Sequence, residues 1–145
     1  MLRSDARVLI VDGQVAVARL VAKIFGTAGL MNSDVAFDTL TARGQIEVTA
    51  PDIAVIDARA GPMRVTAFIT LVRRLTDGRA LTFVMTTSRT AEVVEAAGEA
   101  GVDGVLLKPF TPDDLREQIA AAAEKKRAFP RGKWDQTRQN LVALD

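Results

Sequence analysis

Pro51-Asp52-Ile53-Ala54-Val55-Ile56-Asp57 (PDIAVID) is the stretch on which the reading of the chain turns. Pro51 and Asp52 punctuate, and four apolar residues follow without interruption. So short and continuous a run predicts a strand covered on both faces, as the strands of parallel sheets are. It ends in Asp57, and Gly61-Pro62 marks a turn soon after. A carboxylate is thereby expected just past the carboxyl end of a central strand, where open α/β sheets place their chemistry. By itself Asp57 reads more simply as a turn residue; the rest of the chain shifts that balance.

Outward from this stretch the same pattern repeats. Val8-Leu9-Ile10-Val11 is a second apolar run, ending in Asp12-Gly13. Val17, Leu20, Val21, Ile24 and Phe25 then recur at helical spacing, closed by Gly26 and Gly29. Asp34 to Phe37 is a weak strand, and Thr39 to Val48 a helix interrupted by Gly44. A helix over about Met63 to Leu75 follows the central strand, with Phe68, Leu71, Val72 and Leu75 apolar. Leu81 to Thr87 is the next strand. Thr90 is placed to cap a helix that carries Val93, Val94 and Ala97 and ends at Gly101. Val105-Leu106-Leu107 is the last strand and runs into Lys108-Pro109-Phe110. Thr111-Pro112-Asp113-Asp114 starts a helix that continues to about Lys126. Five alternations of strand and helix predict a parallel sheet joined by right-handed crossovers.

Composition removes several kinds of chemistry. The 145 residues suit one domain, and a net charge of +1 names no partner. With no histidine and no cysteine there is no Ser-His-Asp or thiol mechanism, no thiolate metal site and no disulfide. Arg19 and Lys23 interrupt the longest apolar run, and MLRSDAR lacks a signal-peptide core. The expectation is a cytoplasmic protein without a membrane partner. P-loop and GxGxxG motifs are absent. A haloacid-dehalogenase-type phosphatase would want an acid two residues after its aspartate, where this chain has Gln14 or Arg59. The chain is therefore not expected to be an enzyme of these classes.

What stands at the strand ends carries the functional reading. Asp12 follows the first strand, Asp57 the third, Thr87 the fourth and Lys108 the fifth. Parallel strands bring all four to one rim. Two carboxylates, a hydroxyl and an ammonium suit phosphoryl transfer to a carboxylate, with Asp57 as nucleophile. A divalent cation held by the acids would neutralise phosphoryl charge, and Thr87 and Lys108 would each take a phosphoryl oxygen.

VLIVD at 8–12, PDIAVID at 51–57, Thr-Thr-Ser at 86–88 and LLKPF at 106–110 together resemble the receiver domain of two-component response regulators, over roughly residues 5–126. The resemblance implies a flavodoxin-like, doubly wound five-stranded parallel sheet of order 2-1-3-4-5 with five helices. It implies Mg²⁺ and phosphorylation of Asp57 by a histidine kinase or phosphotransfer protein. It also implies a stand-alone regulator of the chemotaxis type whose output is contact with another, unknown protein. Counting forward from Asp57 puts Thr87 at the family's switch position, and counting back from Lys108 puts Thr86 there. Thr87 is preferred, because the mismatch then falls in the loop around Arg89. By the same resemblance Pro109 is a candidate for a cis bond.

Three departures qualify the resemblance. The family usually carries two adjacent acids after the first strand; here the second is Gly13. Mg²⁺ should then be held weakly or not at all, by Asp12, Asp57 and the backbone carbonyl of Arg59. A degenerate receiver that works as a phosphorylation-independent interaction module is the alternative. The family's proline after the acceptor is displaced to Pro62, leaving Gly61 free to take positive φ, and Arg59 adds a cation beside the pocket. Val105 stands where many receivers have a mobile aromatic ring. Beyond the domain, residues 127–145 form a basic tail, expected to be flexible, with Phe129 and Trp134 as candidates for docking a partner. So short a tail argues against nucleic acid binding.

Overall fold

Residues 5–128 are described by a computed structural model. The elements alternate: β1 (Arg7–Val11), α1 (Val15–Thr27), β2 (Asn32–Ala36), α2 (Thr39–Val48), β3 (Ile53–Asp57), α3 (Val65–Leu75), β4 (Leu81–Thr86), α4 (Ala91–Ala100), β5 (Gly104–Leu107) and α5 (Pro112–Ala128). All strand pairs are parallel, in the order β2-β1-β3-β4-β5. This is the flavodoxin-like fold expected from the sequence.

Period-two alternation divides the core into two layers. Val8, Ile10, Ile53, Val55, Phe83, Met85 and Leu106 face α1 and α5, where Val21, Phe25, Leu115 and Ile119 meet them. Leu9, Val11, Ala54, Ile56, Val84 and Val105 face α2, α3 and α4, where Ile46, Phe68, Ile69 and Val72 meet them. The runs Val8–Val11, Ile53–Ile56 and Phe83–Met85 of the middle strands are apolar because both faces are covered. Full burial of such a side chain is worth about 1.5–3 kcal/mol.

Local chemistry sets the helix ends. The Thr90 hydroxyl accepts the Val93 N–H at 3.2 Å. Thr111 and Asp114 form a reciprocal capping box, each backbone N–H bonding the other's side chain at 3.0 Å. Gly29, at φ 98°, ends α1 with the Leu30 N–H bonded to the Phe25 carbonyl. Gly26 lies inside that helix rather than at its end.

Several expectations are corrected. β2 covers 32–36 rather than 34–37; it is an edge strand, Asn-Ser-Asp-Val-Ala, half exposed and so almost without an apolar signal. Leu20 is exposed, and Ala18 takes the buried place on α1. β4 stops at Thr86. α3 begins at Val65, not Met63, because the loop before it is tied to α2. There the Thr39 N–H bonds the Gly61 carbonyl, and the Met63 N–H bonds the Thr39 hydroxyl, both at 2.9 Å. Gly61 itself does not take positive φ. Val94 is more exposed than its helical position suggested; Ala97 and Ala100 are the buried residues of α4.

Candidate functional site

The two acids arrive on neighbouring strands. Val11 pairs with Ile56 in the β1–β3 register, so Asp12 and Asp57 emerge side by side. Both are buried, at 2% and 6% exposure, which is rare for aspartate without a partner. The partner comes from the end of β5, two strands from β3 and three from β1. Lys108 Nζ donates to Asp12 Oδ2 at 2.6 Å and to Asp57 Oδ1 at 2.7 Å. The remaining oxygens accept from backbone: the Gln14 N–H bonds Asp12 Oδ1, and the Arg59 N–H bonds Asp57 Oδ2, both at 2.9 Å. All four carboxylate oxygens thus have a donor. Buried charge demands this, since an unmet carboxylate costs several kcal/mol.

The frame is held rigid at the same level. The Ala58 N–H bonds the Met85 carbonyl at 2.8 Å and the Lys108 N–H bonds the Thr86 carbonyl at 2.7 Å, joining the ends of β3, β4 and β5. The Lys108-Pro109 bond is cis.

Asp12, Asp57, Thr87 and Lys108 continue the alternation of Ile10, Val55, Met85 and Leu106, so all four have the parity of the α1/α5 face. With Gly13 and Arg59 they line one open cleft of about 330 Å³. Thr86 has the opposite parity. It is buried, and its hydroxyl closes on its own loop, donating to the Ser88 carbonyl at 2.9 Å and accepting from the Ser88 N–H at 3.2 Å. Of the two threonines left open by counting, Thr87 is the one in the cleft.

Gly13 is also in the cleft, and nothing in its backbone requires glycine. Its φ lies outside the left-handed range, and a Cβ there would meet only the Phe37 carbonyl oxygen at 3.7 Å. An acid at this position would fit; the site has two carboxylates by composition, not by steric necessity. Among the described residues no group of three or more acidic side chains is placed to hold a metal ion. The oxygen donors present are those a hard cation takes, Asp12 and Asp57 with room beside Gly13 for water, so the residues fit Mg²⁺ bound largely through water.

The Gln14 and Arg59 amides were not visible in the sequence, because any residue supplies an N–H and only the turn geometry aims it. Val105 is buried in the α3/α4 layer. Lys126, read from sequence as part of a basic end, is paired with Asp103 at 3.1 Å and belongs to the folded body. Phe129 and Trp134 lie outside the described residues.

Comparison with known proteins places this geometry. The family model described as the response regulator receiver domain matches residues 8–120. The chain belongs to the response regulator receiver family. It is similar to chemotaxis protein CheY-3 of Vibrio cholerae, with 28% identity over 127 residues, covering 86% of this chain and 97% of that protein. Among solved structures, a CheY-like receiver domain protein from Methanospirillum hungatei superposes with a TM-score of 0.74 at 24% identity, covering 86% of this chain and 98% of that one. Vibrio cholerae CheY4 gives 0.73 at 24% identity, covering 81% and 98%. Receivers are signalling proteins, and this one has the receiver's five-stranded frame with Asp57 at the end of its central strand. No helix among the described residues is long and apolar enough to cross a membrane.

Proposed function

We propose that this receiver accepts a phosphoryl group on Asp57 and signals by protein contact. The observation that carries the reading is the Lys108 ammonium, shared between Asp12 and Asp57 and facing the same cleft as Thr87. The donor is a phosphohistidine on a histidine kinase or phosphotransfer protein. A carboxylate oxygen of Asp57 forms the new P–O bond, the P–N bond of the donor breaks, and the imidazole leaves with the electron pair and takes a proton. Lys108 turns from the Asp57 carboxylate to a phosphoryl oxygen, and the Thr87 hydroxyl donates to another. The Arg59 N–H keeps Asp57 oriented throughout.

Mg²⁺ would be held by Asp12, Asp57 and the Arg59 carbonyl, and when bound it supplies positive charge against the phosphoryl oxygens. Intact-mass measurement after incubation with phosphoramidate and Mg²⁺ tests the reading. One added phosphoryl is expected, absent in Asp57→Asn; an adduct that persists in the variant would overturn the assignment.

Gly13 favours a second reading, in which the domain is an interaction module that needs no phosphorylation. Failure of the wild type to form any adduct, together with undiminished partner binding by Asp57→Asn, would select it. The output partner is a protein, and the cytoplasm is the proposed location. Phe129 and Trp134 are proposed to contribute to partner binding. Truncation after Ala128 should weaken capture of a partner identified by pull-down, and equal capture would remove the tail from the account.

A further inference from the structure

A second cleft lies on the opposite face of the sheet, between α3 and α4. Its origin is in the sequence of α4, AEVVEAAGEA, where the residues turned inward are Ala97 and Ala100. With side chains so small on its inner face, α4 leaves a cleft of about 430 Å³ beside α3. That is within the range of small-molecule sites, about 300–1,000 Å³. Its accessible lining is apolar, made by Met63, Val65, Val93 and Val102, with Ile69, Val84 and Ala97 buried behind them. Apolar surface facing open space forgoes dispersion contacts that an apolar ligand would restore.

The rim has a different character. Arg59 and Arg64 both line the cleft and both are exposed, and no acid is among the lining residues. Neither guanidinium has a hydrogen-bond or ion-pair partner among the described residues. Two unpaired guanidiniums beside an apolar floor select by both ends. The floor gives nothing to a small, strongly hydrated anion, and a neutral apolar molecule leaves the cations unused. A carboxylate, sulfonate or phosphate on a guanidinium makes paired, charge-assisted hydrogen bonds.

We infer that the α3–α4 cleft binds a small amphipathic anion, an apolar ring or branched chain bearing one acidic headgroup. The head meets Arg59 and Arg64; the body lies on Met63, Val65, Val93 and Val102. Arg59 also lines the cleft that holds Asp57, so the test is made on the unmodified chain, where no phosphoryl group competes for its guanidinium.

The probe is anilinonaphthalenesulfonate, compared with phenylnaphthylamine, which has the same rings without the sulfonate. Calorimetry on the full chain should show one-to-one binding of the sulfonate. Amide shift changes should gather at Ile69, Val93 and Val102. The double variant Arg59→Gln, Arg64→Gln should weaken the sulfonate by about tenfold, as expected for a lost charge-assisted hydrogen bond, and leave the uncharged probe unchanged. Ala97→Leu should fill the floor and remove both probes. Should that variant fail to fold by circular dichroism, Ala96→Leu, at a half-buried position of the same wall, serves instead. The inference is overturned by absence of sulfonate binding, by binding that survives the leucine, or by an equal loss of both probes in the arginine variant. Shift changes centred on the exposed Val94 and Leu107 instead would also overturn it.

Discussion

Replacing Lys108 with methionine removes the ammonium that joins Asp12 to Asp57 while nearly conserving side-chain volume. Each contact, at 2.6 and 2.7 Å, is worth a gross attraction of about 6 kcal/mol at an effective dielectric constant of about 20. Much of this is offset, because the wild-type ammonium is largely desolvated, its side chain only 13% exposed. Breaking a buried pair from one side costs about 3–5 kcal/mol, since the partner charges stay behind. Here two stay behind, on adjacent strands. Lys108→Met should therefore lose about 3–5 kcal/mol in urea unfolding, a large part of a typical domain's stability. The second half of the test is a cycle with Asp12→Asn, which keeps an acceptor for the Gln14 N–H but removes one charge. In the Lys108→Met background Asp12→Asn should be stabilising, and the cycle should show a coupling of at least about 1 kcal/mol. A loss under about 1 kcal/mol for Lys108→Met, or strictly additive effects, would refute the view that this lysine neutralises both acids.

Gly13→Asp should fold, because its Cβ meets only ordinary contacts, but should be less stable without a metal, because it adds a third carboxylate beside Asp12 and Asp57. The same variant should tighten Mg²⁺ by about tenfold in calorimetry through one more charged oxygen ligand, and unchanged affinity would show that the cation is held elsewhere. Thr87→Ala should weaken beryllofluoride binding at Asp57 with little change in stability. Thr86→Val should do the reverse, losing about 1 kcal/mol with its bonds to Ser88, and exchanged phenotypes would reverse the assignment of the two threonines. Gly101→Ala should cost about 1–3 kcal/mol in thermal unfolding. Gly101 is at φ 80°, and an added Cβ would sit 2.0 Å from Arg73 Nη1, whose guanidinium bonds the Ala100 carbonyl at the end of α4. A cost near zero would mean that Arg73 moves aside freely.

The sequence by itself determined the order of elements, the parallel sheet and the rim on which the polar groups gather. Burial on both faces leaves its mark on single residues: Val8–Val11, Ile53–Ile56 and Phe83–Met85 are apolar throughout because no face of those strands meets water. Caps are equally local, and Thr90 and Thr111 were legible for that reason. The edge strand was misplaced because β2 is half exposed and Asn32, Ser33 and Asp34 carry no apolar signal. Period-two parity selects Thr87 over Thr86 without any structure, in agreement with the preference reached by counting along the chain. What only the tertiary structure decided are relations between distant residues. The sharing of one ammonium by Asp12 and Asp57 spans 96 and 51 positions. The aim of the Gln14 and Arg59 amides is set by turn geometry, and the void between α3 and α4 depends on two helices being too far apart for alanine to bridge. A pattern in sequence records what each residue needs from its surroundings; distances and empty space exist only once those surroundings have been packed together.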